Sequence, residues 1–144
     1  MMNKWWAARL LDFRISAWQD AEANAVIEAK TGQKIKCFVD YFDIQEIKNI
    51  EIGSNVNISL DFMCLQIEKN KNGTKKIIDL QKHANSVNQY KLVGQVMDKS
   101  EDKIILDCGF PIEIKATEKN IKKGAWIEAT GRINLHFTKW TNGF

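Results

Sequence analysis

A short pattern occurs twice in this chain, 71 positions apart, and it decides the predicted fold. The two copies are Ile50-Glu51-Ile52-Gly53-Ser54-Asn55-Val56 and Ile121-Lys122-Lys123-Gly124-Ala125-Trp126-Ile127. In each copy a glycine turn leads into a long run in which alternate residues are apolar. The alternating residues are Val56, Ile58, Leu60, Phe62 and Cys64 in the first run, and Ile127, Ala129, Gly131, Ile133, Leu135 and Phe137 in the second. Alternation with period two is typical of a strand, so we predict a repeated unit of one turn and one long strand.

Most other segments also alternate with period two. Further strands are predicted at 9–15, 23–29, 35–39, 77–80, 90–96, 104–106 and 112–114. In the first of them Leu11, Phe13 and Ile15 share one face. The alanines of 23–29 also permit a helix. Short helices are predicted before each long strand, at 43–48 and at 117–121.

The sequence Asn72-Gly73 is the clearest local turn signal. Asn-Gly favours the positive φ angles of a type I′ turn, so a β-hairpin is predicted between residues 65–67 and 77–80. The polar residues that follow predict a linker at 83–89.

These features together resemble the OB-fold, a five-stranded Greek-key barrel. The residues that carry the resemblance are the two joints, Gly53-Ser54-Asn55-Val56 and Gly124-Ala125-Trp126-Ile127, and the Asn72-Gly73 turn. We therefore predict a mainly β protein of two tandem small OB-like barrels, 1–82 and 90–144, each with a short helix before its long fourth strand. One larger β-barrel or sandwich is the alternative.

The second predicted barrel is short of chain, because only seven residues follow Phe137. A missing fifth strand leaves an open edge, and proteins normally cover such edges. The first barrel, a second copy of the chain or another protein are the candidates for covering it.

Bulk composition limits the possible classes. The chain has 144 residues, of which 44% are hydrophobic, which suits one ordinary domain or two very small ones. Its net charge of +3 is smaller than that of a dedicated nucleic-acid-binding domain. The positive excess is densest in residues 71–85, which hold four basic residues and one acidic residue.

The three cysteines, Cys37, Cys64 and Cys108, lie far apart in apolar or strand-like runs. Their odd number and placement predict reduced core cysteines in a cytoplasmic protein. Charged residues interrupt the amino-terminal segment, so neither a signal peptide nor a membrane span is predicted.

The OB-fold resemblance implies a ligand on one barrel face, beside the first hairpin loop and the loop between the last two strands. Those loops are residues 16–20, which contain Trp18, and residues 69–76, which contain Lys69, Lys71, Lys75 and Lys76. Aromatic side chains can stack on bases while lysines contact phosphates, so single-stranded or structured nucleic acid is the predicted ligand. A hairpin tip rich in lysine for solubility alone is the competing interpretation.

Trp126 and Arg132 extend this predicted surface. They lie on the polar face of the second long strand together with Glu128, Thr130, Asn134 and His136. This face can contact a ligand, or it can form an interface, because Trp and Arg are enriched in interfaces.

No motif in the sequence indicates catalysis. The spacings of zinc sites, phosphate-binding loops and nucleophile elbows are missing from the sequence. We therefore predict a binding protein that is not an enzyme and has neither cofactor nor metal. The alternative function is a protein-interaction or scaffold module that seats a protein partner or forms a homodimer through an exposed Trp surface and an open strand edge.

Overall fold

The regular structure of this protein is built from strands. The computed structural model describes residues 5–17, 19, 21–40, 42, 50–69, 73–80, 89–116 and 120–137. In this part of the chain the strands are β1 (Trp6–Ala17), β2 (Glu22–Glu28), β3 (Lys34–Val39), β4 (Asn55–Lys69), β5 (Lys76–Asp79), β6 (Gln89–Lys99), β7 (Lys103–Asp107), β8 (Pro111–Lys115) and β9 (Trp126–Phe137). The predicted mainly β class is thus confirmed. The alanine-rich segment 23–29 forms β2 and not a helix.

The predicted short helices are not confirmed. Residues 43–48 and 117–119 lie outside the described residues, and Asn120 and Ile121 are not helical. No described segment forms a helix that is long and apolar enough to cross a lipid bilayer.

The chain forms two compact units whose boundaries fall inside strands. The N-terminal unit contains the described residues of 5–59 and 134–137, and the C-terminal unit contains those of 60–133. Each of the long strands β4 and β9 therefore contributes one part to each unit. This division differs from the predicted barrels at 1–82 and 90–144, and all of the predicted linker 83–89 except Gln89 lies outside the described residues.

In the N-terminal unit, β1, β2 and β3 form an antiparallel meander. Strand β1 also pairs with the first part of β4, where Trp6 lies opposite Ile58. The last part of β9 is parallel to β3, with Phe38 opposite Asn134. Three meander strands, a fourth strand on the first and a fifth parallel to the third make an OB-like Greek-key barrel.

The C-terminal unit repeats this arrangement. Strands β6, β7 and β8 form the meander, and β6 also pairs with the first part of β9. The last part of β4 is parallel to β8, with Phe62 opposite Ile114. Residues 60–69 therefore occupy the place of the fifth strand, which the sequence predicted to be an open edge.

The predicted hairpin between β4 and β5 is wrong. Strand β5 pairs with β6, with Ile77 opposite Leu92, and none of the described ladders joins β5 to β4. Gly73 has the predicted positive φ angle, +62°. The turn signal was therefore correct in its backbone angle, but a turn does not determine which strand the following residues pair with.

The repeated glycine turn forms the same joint in both units. In the N-terminal unit the Gly53 amide donates to the Leu10 carbonyl at 2.6 Å. In the C-terminal unit the Gly124 amide donates to the Val96 carbonyl at 2.8 Å. The two glycines have φ angles of +92° and +90°, which disfavour residues with a side chain. The predicted repeat is therefore a repeat of hydrogen bonding as well as of sequence.

The first strand of each unit has an irregularity directly after this joint. The pairing register shifts between Leu10 and Asp12 in β1 and between Val96 and Asp98 in β6. The sequence predicted that Leu11 belongs to the apolar face of β1. Because of the register shift, the buried residue is Leu10, and Leu11 is only half-buried. An extra residue in one strand changes which side chains face the core, and alternation along the sequence does not reveal it.

Candidate functional site

Five of the seven predicted site residues are described by the structure. Trp18 and Lys71 lie outside the described residues. The other five, Lys69, Lys75, Lys76, Trp126 and Arg132, all belong to the C-terminal unit. The predicted site residues that the structure describes therefore all lie in one unit.

Lys75 is engaged in an ion pair. Its Nζ atom lies 2.6 Å from Oδ2 of Asp107. Oδ1 of the same carboxylate accepts a hydrogen bond from the Gly109 amide at 3.0 Å. The charge of Lys75 is thus balanced within the unit, whereas Lys69 and Lys76 are exposed at the ends of their strands.

Trp126 is half-buried beneath the chain that precedes β5. A Cβ atom placed on Gly73 would lie 3.6 Å from Cε2 of the indole ring. Backbone therefore covers part of a ring that the sequence predicted to extend the nucleic-acid-binding surface.

The polar face predicted for β9 is correct over its first part. Trp126, Glu128, Thr130 and Arg132 are half-buried and alternate with buried residues. Asn134, which was predicted to continue this face, is buried at 8% exposure. The face therefore ends at Arg132, next to the point where β9 leaves the C-terminal unit.

A polar hollow lies on this unit. It is lined by Gln66, Glu68, Lys91, Glu128 and Thr130, and it holds about 210 Å³, part of which is open to solvent. The lining comes from three strands, β4, β6 and β9. The pairing of β6 with β9 sets Lys91 directly opposite Thr130.

The hollow contains both hydrogen-bond donors and acceptors. Nζ of Lys91 lies 3.7 Å from Oε1 of Glu128. The Gln66 amide donates to the Glu68 carboxylate. Two carboxylates and one ammonium group give the lining a net negative charge, so it suits a small polar molecule that can both donate and accept hydrogen bonds.

Gly131 allows a close approach between β9 and β4, two of the strands that line the hollow. A Cβ atom at this position would lie 2.1 Å from the Met63 carbonyl oxygen, far inside van der Waals contact. Only glycine lets β9 approach β4 this closely.

The cysteines do not contribute reactive groups to the hollow. All three are free thiols, and Cys37 and Cys108 are buried, as predicted for core cysteines. Burial raises the pKa of the Cys108 thiol to about 12, and it raises the pKa of Cys37 further. Both thiols are therefore protonated near neutral pH, and Cys64 is half-buried.

The described residues contain no group of three or more His, Cys, Asp or Glu side chains that could hold a metal ion.

Three of the hollow residues were not predicted from the sequence: Gln66, Glu68 and Lys91. Gln66 and Glu68 alternate along β4, as Glu128 and Thr130 do along β9. This alternation was the available signal. It marks an outward face, but it does not show that two outward faces from distant parts of the chain lie together.

Comparisons with known proteins bear on the fold. No protein-family model matches the chain, and no curated protein sequence matches it. Among solved structures it is similar to the cytoplasmic molybdate-binding protein ModG, in a crystal form with molybdate bound. The TM-score is 0.50 at 14% identity, over 93% of this chain and 95% of the other. At this identity the likeness shows the fold alone.

The predicted nucleic-acid function is wrong. The similar structure belongs to a protein described as molybdate-binding, which points to a small ligand. The local geometry agrees, because Lys75 is paired with Asp107 and backbone covers part of Trp126. The alternative of a scaffold module depended partly on an open edge, and β4 occupies that position. A protein partner or homodimer stays a prediction.

Proposed function

We propose that this chain is a non-catalytic binding protein for a small polar solute, and that the polar hollow of the C-terminal unit is its binding site. The observation that carries the proposal is the lining itself. Five polar side chains from three strands line one hollow that is partly open to solvent.

The arrangement is suited to binding because its side chains stand on strands. Lys91 and Thr130 are neighbours across the ladder of β6 and β9, so their separation is held by backbone hydrogen bonds. A site on regular elements holds its geometry better than a site on loops. Lys91 and Gln66 supply donors, Glu68 and Glu128 supply acceptors, and the Thr130 hydroxyl can do either.

The similarity to ModG supports a small ligand over a macromolecule, and it makes molybdate the first solute to test. Because ModG is described as cytoplasmic, a cytoplasmic location is part of this proposal. The charge of the hollow favours a different ligand class. Two carboxylates face one ammonium group, which disfavours a dianion and favours a solute with hydroxyl or ammonium groups.

The test is a titration followed by two-dimensional amide NMR of the labelled protein. The probes are molybdate, sulfate, free amino acids and simple sugars. We expect at least one probe to give saturable shifts centred on residues 66–68, 91 and 128–130. Saturable shifts centred elsewhere, or none with any probe, would contradict the proposal.

A matched pair of variants sharpens this titration. Thr130→Val removes a hydroxyl from the hollow at nearly constant volume, and we expect about two- to tenfold weaker binding of the active probe. Lys123→Gln changes an exposed side chain at the glycine turn and is expected to leave the affinity unchanged. Equal affinity in the Thr130 variant would show that this hydroxyl does not contact the bound probe.

A further inference from the structure

Gly73 lies against the indole of Trp126. Three atoms of the ring, Cε2, Cζ2 and Cδ2, lie 3.6, 3.8 and 3.9 Å from the position of a Cβ atom on Gly73. Cδ2 and Cε2 form the bond that the two rings share, and Cζ2 is bonded to Cε2. Nearly equal distances to these three ring atoms mean that Gly73 approaches the face of the ring and not its edge. The positive φ of Gly73, +62°, allows the chain to turn there.

An ion pair holds the same segment two residues later. Lys75 Nζ lies 2.6 Å from Asp107 Oδ2. Asp107 is a firm anchor, because the end of β7 lies in a ladder and its Oδ1 atom accepts from the Gly109 amide.

The pair is accessible to solvent, since the side chains of Lys75 and Asp107 are 43% and 25% exposed. Ion pairs of this exposure contribute little to stability and weaken as salt rises. Such a pair suits a reversible latch better than a permanent clamp.

We propose that residues 73–75 form a strap that closes over the indole face of Trp126, and that the Lys75–Asp107 ion pair is its latch. Releasing the latch uncovers an aromatic face on the outside of β9. Trp126 and Glu128 lie on the same face of that strand, two residues apart. The open strap therefore adds an aromatic wall beside the polar hollow, and this last consequence alone rests on the proposed function.

The strap can be tested without any ligand. The protein is labelled with 5-fluorotryptophan, and Trp126→Phe identifies one of the five tryptophan signals in the fluorine NMR spectrum. A soluble gadolinium chelate then broadens each signal according to its exposure. In the unmodified sequence at low salt we expect the Trp126 signal to be protected.

Two variants release the latch. Asp107→Asn removes the negative charge and retains an acceptor for the Gly109 amide, and Lys75→Gln removes the positive charge. Each is expected to increase broadening of the Trp126 signal about two- to fivefold, which is the population change that an exposed ion pair can produce. Salt at about 0.5 M should produce the same increase without any substitution, because charges are then screened within a few ångströms.

The matched control is Lys103→Gln. It breaks a pair between Lys103 and Glu113, 3.5 Å apart and similarly exposed, elsewhere in the same unit. Unchanged broadening in this control together with an increase in both latch variants supports the strap. Equal broadening in the unmodified protein, the latch variants and high salt overturns it, and so does an equal increase in the control. Failure to bind any solute would leave this result unaffected, so the two proposals fail separately.

Discussion

The two units share one strand arrangement and differ in what they place on it. At the joint before the fourth strand, Arg9 Nε donates to the Gly53 carbonyl, and Gln95 Nε2 donates to the Gly124 carbonyl, both at 3.1 Å. The residue opposite Arg9 is Asn55, whereas the residue opposite Gln95 is Trp126. The same backbone position therefore carries an exposed amide in one unit and a covered indole in the other.

The aromatic residues of the N-terminal unit are used for packing. Phe13 contacts Phe42 edge to face at 5.8 Å between ring centroids, and it contacts Phe137 at 6.1 Å. The corresponding residue after the irregularity of β6 is Lys99, whose ammonium group donates to the Ile121 carbonyl. The two units therefore share their backbone pairing but not their side chains. At this position the N-terminal unit has an aromatic packing residue, and the C-terminal unit has a charged residue.

The largest expected effect is at Gly94 of the C-terminal unit, where two backbones lie close together. A Cβ atom on Gly94 would lie 2.3 Å from the Asp107 carbonyl oxygen, whereas the corresponding position in β1 is Ala8. Gly94→Ala is expected to lower the free energy of unfolding by about 3 kcal/mol, as overpacking does. Ala8→Gly should cost only about 1 kcal/mol. Urea denaturation measures both, and equal losses would mean that β6 and β7 can separate without cost.

The second prediction tests whether the two glycine joints are equivalent. Gly53→Ala and Gly124→Ala each place a side chain at a φ angle near +90°. Neither new Cβ atom meets another atom closer than 3.9 Å, so backbone strain alone sets the loss. We expect about 2 kcal/mol for each variant. A large difference between them in thermal or urea denaturation would show that the repeated joint carries unequal strain.

The third prediction concerns the buried thiol of the C-terminal unit. The folded state raises the pKa of Cys108 from 9.0 to about 12, so between these values the unfolded state loses the proton while the folded state keeps it. Stability is therefore full below pH 9 and falls as pH rises, by about 1.4 kcal/mol per pH unit for this thiol. Cys108→Ala should make the free energy of unfolding fall less steeply between pH 9 and pH 10. An unchanged slope would show that the thiol is not protected by burial.

The smallest effect compares one ion pair from each unit. Lys91 and Glu128 lie 3.7 Å apart with side chains 38% and 24% exposed, whereas Arg14 and Asp12 lie 2.9 Å apart with 82% and 43% exposed. Lys91→Gln should cost about 0.5 kcal/mol and Arg14→Gln nothing measurable, because solvent screens the more exposed pair. Urea denaturation at low and high salt checks this, and a larger loss for Arg14→Gln would reverse the ranking.

Alternation along the sequence predicted most of the strands but few of their partners. The buried residues Ala23, Ala25 and Ile27 of β2 were predicted because side chains of a strand point alternately to two sides. The pairing of β5 with β6 was not predicted, since a turn signal such as Asn72-Gly73 describes only local angles. For the same reason, Trp126 was recognised as an outward residue, while its cover by Gly73 was not.

The sequence by itself determined the strand content, the repeated glycine joint and the outward faces of the long strands, because these follow from local backbone preferences and from period-two alternation. Only the tertiary structure decided that each long strand serves both units and that Gln66, Lys91 and Thr130 line one hollow. These features depend on contacts between residues far apart in the chain, and such contacts leave no periodic trace in the sequence. The glycine joint, which is visible in the sequence, marks the start of each long strand. The partner of the last part of each long strand is set by tertiary contacts.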